Sequence, residues 1–339
     1  MYKNSVWPGV IFILFAFGPG LAGQTARIVA AAPLRLPGVA DSNSPSHWSE
    51  GKLILFNSDG MPIRSEGENL ESLGRVRAAR FYSYEHAPLW IEATYKSPKG
   101  TLYAWYHHEV FLHCEENPVS APVIGALRSF DDGKTFEDLG IILQAGEEPD
   151  CGTRNRYFGG GNGDFSAIVD REGEYLYLAY SSYSGPASSQ GVAMARIRVE
   201  ALDEPVGQVF KYFNGTWEEP GLGGAVSPVF AASASWASEA ADAMWGPSIH
   251  WNTYLKKFVM VMNHTCCGTD WPQEGIYVTY SGDLARPETW MPPQKLMDGG
   301  GWYPMVVGTE AGGTDKLAGQ TARFFMGSDS DWLIEFSPN

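Results

Sequence analysis

Asp41, Glu92 and Asp164 are the residues of this 339-residue chain whose type and placement could do chemistry together. Each stands at the head of a stretch in which a polar residue leads into an apolar strand, a short turn follows, and an aromatic-rich strand returns. If such hairpins stand around a common axis, their leading carboxylates meet at one end of it. Carboxylates held close repel and raise one another's pKa. Glycoside hydrolysis uses that arrangement: one carboxyl stays protonated to serve the leaving oxygen, while another stays ionised as base or nucleophile. The assignment that follows is Asp41 as base or nucleophile, Glu92 as acid, and Asp164 as the residue that orients or tunes. Glu109, at the end of the strand paired with that of Glu92, is the reserve acid. A structural reading stays open beside it, in which Asp41 caps a turn and Glu92 meets an arginine.

The same geometry brings up the ends of the return strands, including His107-His108-Glu109, Ser181 to Tyr183 and Asn263 to Cys267. His107 and Glu109 share one face of their strand and His108 takes the other. A histidine facing a water-filled axis beside Glu109 could ligate Ca2+ or another cation, although the chemistry itself requires no cofactor and no metal site is assigned. Trp48, Trp90, Trp245 and Trp302 lie near hairpin starts, where a sugar ring could stack on them. With His107, His108, Glu109 and His250, the tryptophans Trp48, Trp245 and Trp302 complete the expected substrate contacts.

The elements that must position these residues are five hairpins, with starts near 41, 92, 164, 245 and 302 separated by 51, 72, 81 and 57 residues. Each interval holds a four-stranded sheet with its loops, and outer strands are expected at 123–128, 192–199, 276–280 and 293–296. Periods of this length indicate radial repetition. The 39 Gly, 22 Pro, 12 Trp, 16 Tyr and 17 Phe suit many short strands joined by tight turns. The predicted fold is all-β, a five-bladed β-propeller in a single domain over residues 23–339, with a strand near Ala26 to Val29 closing the ring beside the last blade. Ser129-Phe-Asp131-Asp-Gly133-Lys-Thr135-Phe136 fits the Asp-box pattern, a tight hairpin with a structural role.

At this point the chain resembles the five-bladed glycoside hydrolases related to arabinanases, xylosidases and invertases. Asp41 matches by position the Asp at the start of their first inner strand. Asp164, in Gly161-Asn-Gly-Asp164-Phe165, matches the second Asp that tunes. Their acid is a Glu that follows the second Asp, whereas Glu92 precedes Asp164 here and the fourth hairpin offers Ser248 and His250. Trp245-Gly-Pro-Ser-Ile-His-Trp251 and Gly301-Trp-Tyr-Pro304 also resemble segments of bacterial propellers of this kind. The resemblance implies a glycoside hydrolase acting on an oligo- or polysaccharide. A carbohydrate-binding propeller without a working acid is the alternative. A sialidase is disfavoured, because that chemistry needs an arginine cluster for a substrate carboxylate; Arg80 and Arg323 are the arginines to inspect.

The apolar run Val10 to Phe17, followed by Gly18-Pro-Gly-Leu-Ala22, predicts a signal peptide over residues 1–22 and therefore export to the periplasm or beyond. That run is too short for a membrane span, and no later segment is apolar enough for one. A formal charge of −15 argues against nucleic acid, since no Lys/Arg cluster exceeds a triplet such as Arg75, Arg77 and Arg80. Export permits disulfides, and Cys114, Cys151, Cys266 and Cys267 allow three pairings.

Overall fold

The computed structural model describes residues 25–114, 118–268 and 271–338. The expected signal peptide lies outside them.

Apolar runs bounded by glycine turns form antiparallel sheets, and five of these stand in a ring. Blade one runs from its inner strand Ser46–Ser49 through Lys52–Ser58 and Pro62–Gly67 to Gly74–Ala78. Blade two comprises Leu89–Lys96, Leu102–Phe111, Ser120–Ser129 and Thr135–Leu143, with the short Arg80–Phe81 added in parallel at its outer edge. Blade three begins with Asn162–Val169 and Tyr175–Ser182, and blade four with Asp242–Asn252 and Lys257–Cys266. Blade five is built from Pro304–Gly308, Thr321–Met326 and Asp329–Ser337, and its outermost strand is the N-terminal Thr25–Arg35. The closing strand is thus where the sequence placed it. Pairing the first described strand with the last turns the blades into a closed ring.

The core lies between blades. Phe56, Tyr106 and Phe136 fill the gap between blades one and two, Trp105, Phe165 and Tyr180 the next, and Met194, Ile249 and Met260 the third. Val261, Tyr280 and Phe324 separate blades four and five, and Leu55, Met305 and Phe325 lie between five and one. The hairpin around Asp131 is self-bonded: its carboxylate accepts the Thr135 amide at 2.9 Å, the Thr135 hydroxyl at 2.8 Å and the Lys134 amide at 3.1 Å. Gly133 sits there at φ +76°, where a Cβ would lie 2.3 Å from the Phe56 ring. Disulfides join Cys114 to Cys151 and Cys266 to Cys267, one of the three pairings the sequence allows. Among the described residues no helix is long and apolar enough to cross a membrane.

Candidate functional site at one end of the axis

The inner strands are regular at one end and broken at the other. Pairing in blade two slips between Ile91 and Ala93, in blade three between Gly163 and Phe165, and in blade four between Trp245 and Ser248. Glu92, Asp164 and Gly246-Pro247 therefore occupy equivalent bulges. A bulge leaves one residue unpaired and re-aims its side chain. Asp164 is held at φ +41°, Gly246 at +59° and Tyr303, just before the blade-five inner strand, at +56°. Asp41 precedes the blade-one strand and is anchored through its amide to the Ser58 carbonyl at 2.8 Å. Around the axis the ring thus reads Asp41, Glu92, Asp164, Gly246 and Tyr303.

The floor of this pit is closed. Glu92, His107 and Asp164 are 0 %, 4 % and 2 % exposed, and one ligand atom of each lies within 4.8 Å of the others. Asp164 accepts the Tyr303 hydroxyl at 3.1 Å on one oxygen and the Tyr183 hydroxyl on the other. Glu92 accepts the Phe165 amide at 3.0 Å with Oε2, and its Oε1 lies 3.3 Å from His107 Nδ1. Burial raises the Glu92 pKa to about 7, against the His107 hydrogen bond and charge that lower it. Burial works to lower the imidazole's pKa, but the Glu92 hydrogen bond and the charges of Asp164, Glu92 and Glu109 outweigh it and raise it. The two demands collide at Nδ1, which also accepts the Asp164 amide at 3.1 Å. The backbone fixes that amide, so Nδ1 must keep its lone pair, and we place the shared proton on Glu92, whose Oε1 otherwise has no partner. Nε2 then carries the ring N–H, 3.9 Å from Glu109 Oε1.

The rim is acidic and open. Asp41 and Asp59 are exposed and Glu109 is half-buried, accepting the Ser120 hydroxyl at 3.0 Å. The pKa of Asp41 rises to about 6, first because the pit wall displaces water from its carboxyl and then through the charges of Asp164, Asp59 and Glu109; His107 opposes the shift. Beside the floor lies an aromatic cluster of Phe158, Tyr183, Trp236, Trp245, Trp271 and Tyr303, with Trp302 and Tyr157 half-buried at its margin.

The expected site residues divide accordingly. Asp41, Glu92, Asp164, His107 and Glu109 come together. His108 faces away, its Nδ1 3.0 Å from the Pro88 carbonyl and its ring beside His86. Trp245 is fully buried within the aromatic cluster and offers no face to a ligand; Trp302 is the tryptophan at the margin. Trp48 and His250 belong to the opposite end of the ring. Trp48 pairs with Leu53 beside the Glu50-Gly51 turn and donates its indole N–H to Gly313 at 2.9 Å. His250 pairs with Val259, buried near Lys316 and Phe336. Both were placed by nearness in sequence to a strand start, and a few residues of strand carry a side chain the height of the ring. Glu92 meets a histidine, not an arginine. Of the two arginines to inspect, Arg323 is buried and donates to the Ser330 carbonyl at 2.8 Å, and Arg80 stands on the outer edge of the ring.

Asp59, a rim carboxylate absent from the expected set, directly follows the blade-one return strand, the position equivalent to those the sequence singles out in blades two to four. Trp271 comes from a loop with no periodicity to reveal it and is buried within the aromatic cluster.

Fold and site together define a five-bladed β-propeller with an acidic pit at one end of its axis. An α-L-arabinanase mutant from Cellvibrio cellulosa is similar over 89 % of this chain and 91 % of its own, with a TM-score of 0.54 at 13 % identity. The endo-arabinase of Bacteroides thetaiotaomicron matches 92 % of this chain and 97 % of its own at a TM-score of 0.50 and 12 % identity. A thermostable family-43 glycoside hydrolase matches 89 % and 91 % at 0.52 and 11 % identity. At these identities the likeness is one of fold. No protein-family model matches the sequence, nor does any curated protein.

Proposed function

We propose that this chain is an exported glycoside hydrolase-like protein that takes the end of an oligo- or polysaccharide into the acidic pit and needs no cofactor. The observation that carries this reading is the convergence of Asp41, Glu92 and Asp164 from the same end of three successive inner strands, two of them on bulges. The arabinanases of like fold support a polysaccharide as substrate class, and residues 1–22 support export.

Hydrolysis breaks the bond between the anomeric carbon and the leaving oxygen, adding a water hydroxyl to one and a proton to the other. Asp41, poised near pH 6 at the rim, is the base or nucleophile. Glu92 is sealed under the floor, so the acid at the rim is Glu109. His107 lies between the two, accepting from Glu92 at Nδ1 and facing Glu109 with its Nε2–H, which orients the ring beside the Glu109 carboxylate. Asp164, gripped by two phenols, supplies the fixed negative charge that tunes Asp41. Trp302 is the platform for a sugar face.

A second reading, a glycan-binding propeller without turnover, is favoured by Gly246, which leaves the fourth ring position without a carboxylate. Purified residues 23–339 assayed on aryl glycosides and oligosaccharides, beside Asp41→Asn, separate the two. Turnover lost in the variant supports the hydrolase; binding without turnover in either protein supports the second reading.

A further inference from the structure

Outside the pit, one region runs against the charge of the whole molecule. The outer face of blade one, where Gly74–Ala78 forms the free edge and the turn at Lys134 approaches it, encloses a groove of about 710 Å³ lined by Arg64, Arg75, Arg77, Arg80, Lys134 and the single carboxylate Glu66. Glu66 is consumed by Arg64 at 2.8 Å and Arg75 at 3.4 Å. Asp131 is spent on its own hairpin, and Asp132 on Lys96 and Ser49. Arg77, Arg80 and Lys134 are exposed, and none of them pairs with an acidic group among the described residues.

The arrangement also carries a cost. Arg64 and Arg77 are direct cross-strand partners, and like charges placed opposite one another destabilise a sheet. Tyr82, two residues beyond Arg80, is 79 % exposed and Tyr84 is 53 % exposed. Alternation along an extended segment puts Tyr82 on the same side as Arg80. Guanidinium groups recognise carboxylates through paired hydrogen bonds, and an aromatic face takes the apolar side of a sugar ring.

We propose that this groove is a second, non-catalytic binding site for an acidic polysaccharide bearing uronate carboxylates, with Arg77, Arg80 and Lys134 engaging the carboxylates and Tyr82 a sugar face. The choice of a glycan over other polyanions rests on the pit reading and on Tyr82.

The test is binding of the full mature chain to polygalacturonate by calorimetry at low and high salt, beside a neutral arabinan and a DNA oligonucleotide. We expect salt-sensitive binding of the polyuronate, weakened about tenfold or more in the Arg77→Glu, Arg80→Glu double variant and less in Tyr82→Ala, with no fall in melting temperature in either variant, since Arg77→Glu removes a like-charge cross-strand pair. Asp41→Asn should bind the polyuronate normally, so failure of the pit assignment leaves this result standing. Absence of polyuronate binding at low salt overturns the proposal, as does unchanged affinity in the double variant. So does DNA binding as tight as that of the polyuronate and indifferent to Tyr82→Ala, which would assign the groove to nucleic acid.

Discussion

The two ends of the inner strands are made from the same residues of chain yet obey different rules. At the turn end the charged groups are mutually neutralised: Asp315 accepts the Ser46 amide at 2.8 Å and pairs with Lys316 at 2.9 Å, and Lys316 donates to the Ser166 hydroxyl at 2.8 Å. Pairing there is in register. At the pit end three inner strands bulge, Asp164 takes positive φ inside its strand rather than in a turn, and carboxylates outnumber their partners. Backbone outliers persist only where surrounding structure over-determines them. The lesson is a division of labour along a single strand: the regular end and the interblade cores hold the ring, which lets the other end carry strain and charge.

The largest effect that could break this contrast is in turnover. Asp41→Asn should lower kcat by about 10²–10⁴-fold with little change in melting temperature, because the residue is exposed at the rim. The wild-type rate should fall as pH drops through about 6, where Asp41 takes up its proton. A rate that instead rises on acidification would reverse its role from base to acid. Asp164→Ala should act on stability as well: it leaves the Tyr183 and Tyr303 hydroxyls buried without their acceptor, at about 3 kcal/mol by denaturant unfolding.

Much of the ring was legible in the sequence because strand alternation and hairpin turns repeat, and repetition can be read without knowing any contact. The five hairpins, the outer strands and the closing strand all follow from it. The pit was legible only as far as strand ends could be counted. Bulges shift that count by one, so Glu92 is turned under the floor, where its proton serves His107, and is not presented to solvent. The histidine that joins Glu92 to Glu109 was in view, but its partners depend on a blade-three bulge that no local pattern announces. Trp48 and His250 fail for the opposite reason: the stretches that carry them, Ser46–Ser49 and the part of Asp242–Asn252 after its bulge, pair regularly, and regularity carries them to the other end.

Acid and alkali should separate the two ends. Glu92, raised from 4.5 to about 7, contributes stability that is full below pH 4.5 and is lost as pH rises through 7. His250 and His47 are lowered by burial to about 3 and about 4 from 6.5. Their contributions are full above pH 6.5 and are lost as pH falls toward those values. At about 1.4 kcal/mol per pKa unit, each limb amounts to a few kcal/mol, giving a maximum between them. Denaturant unfolding against pH should show Glu92→Gln reducing the alkaline limb, to which Asp41 also contributes, and His250→Gln reducing the acid limb, to which His47 also contributes, each leaving the other limb unchanged. Loss of both limbs in either variant would mean that the ends are coupled.

A smaller effect is expected at Gly246, where a Cβ would lie 3.2 Å from Asn263 Oδ1 at φ +59°. Gly246→Ala should cost about 1–2 kcal/mol, whereas a regular inner-strand position would accept alanine more cheaply.

Trp48→Phe is the mildest of these changes and the most direct check on the separation of ends. It removes the indole N–H donated to Gly313 while keeping an aromatic ring against Leu53 and Leu55, so the expected loss is about 1 kcal/mol. The half-buried ring lines a cavity of about 520 Å³ with Leu34, Leu53 and Arg323, on the side of the hairpin away from Asp41. Turnover and affinity for a pit ligand should therefore equal those of the wild type, while Trp302→Phe, at the margin of the acidic rim, should weaken that ligand. Equal weakening in both variants would show that a glycan reaches past the axis to the turn end, and the division drawn along the inner strands would no longer hold.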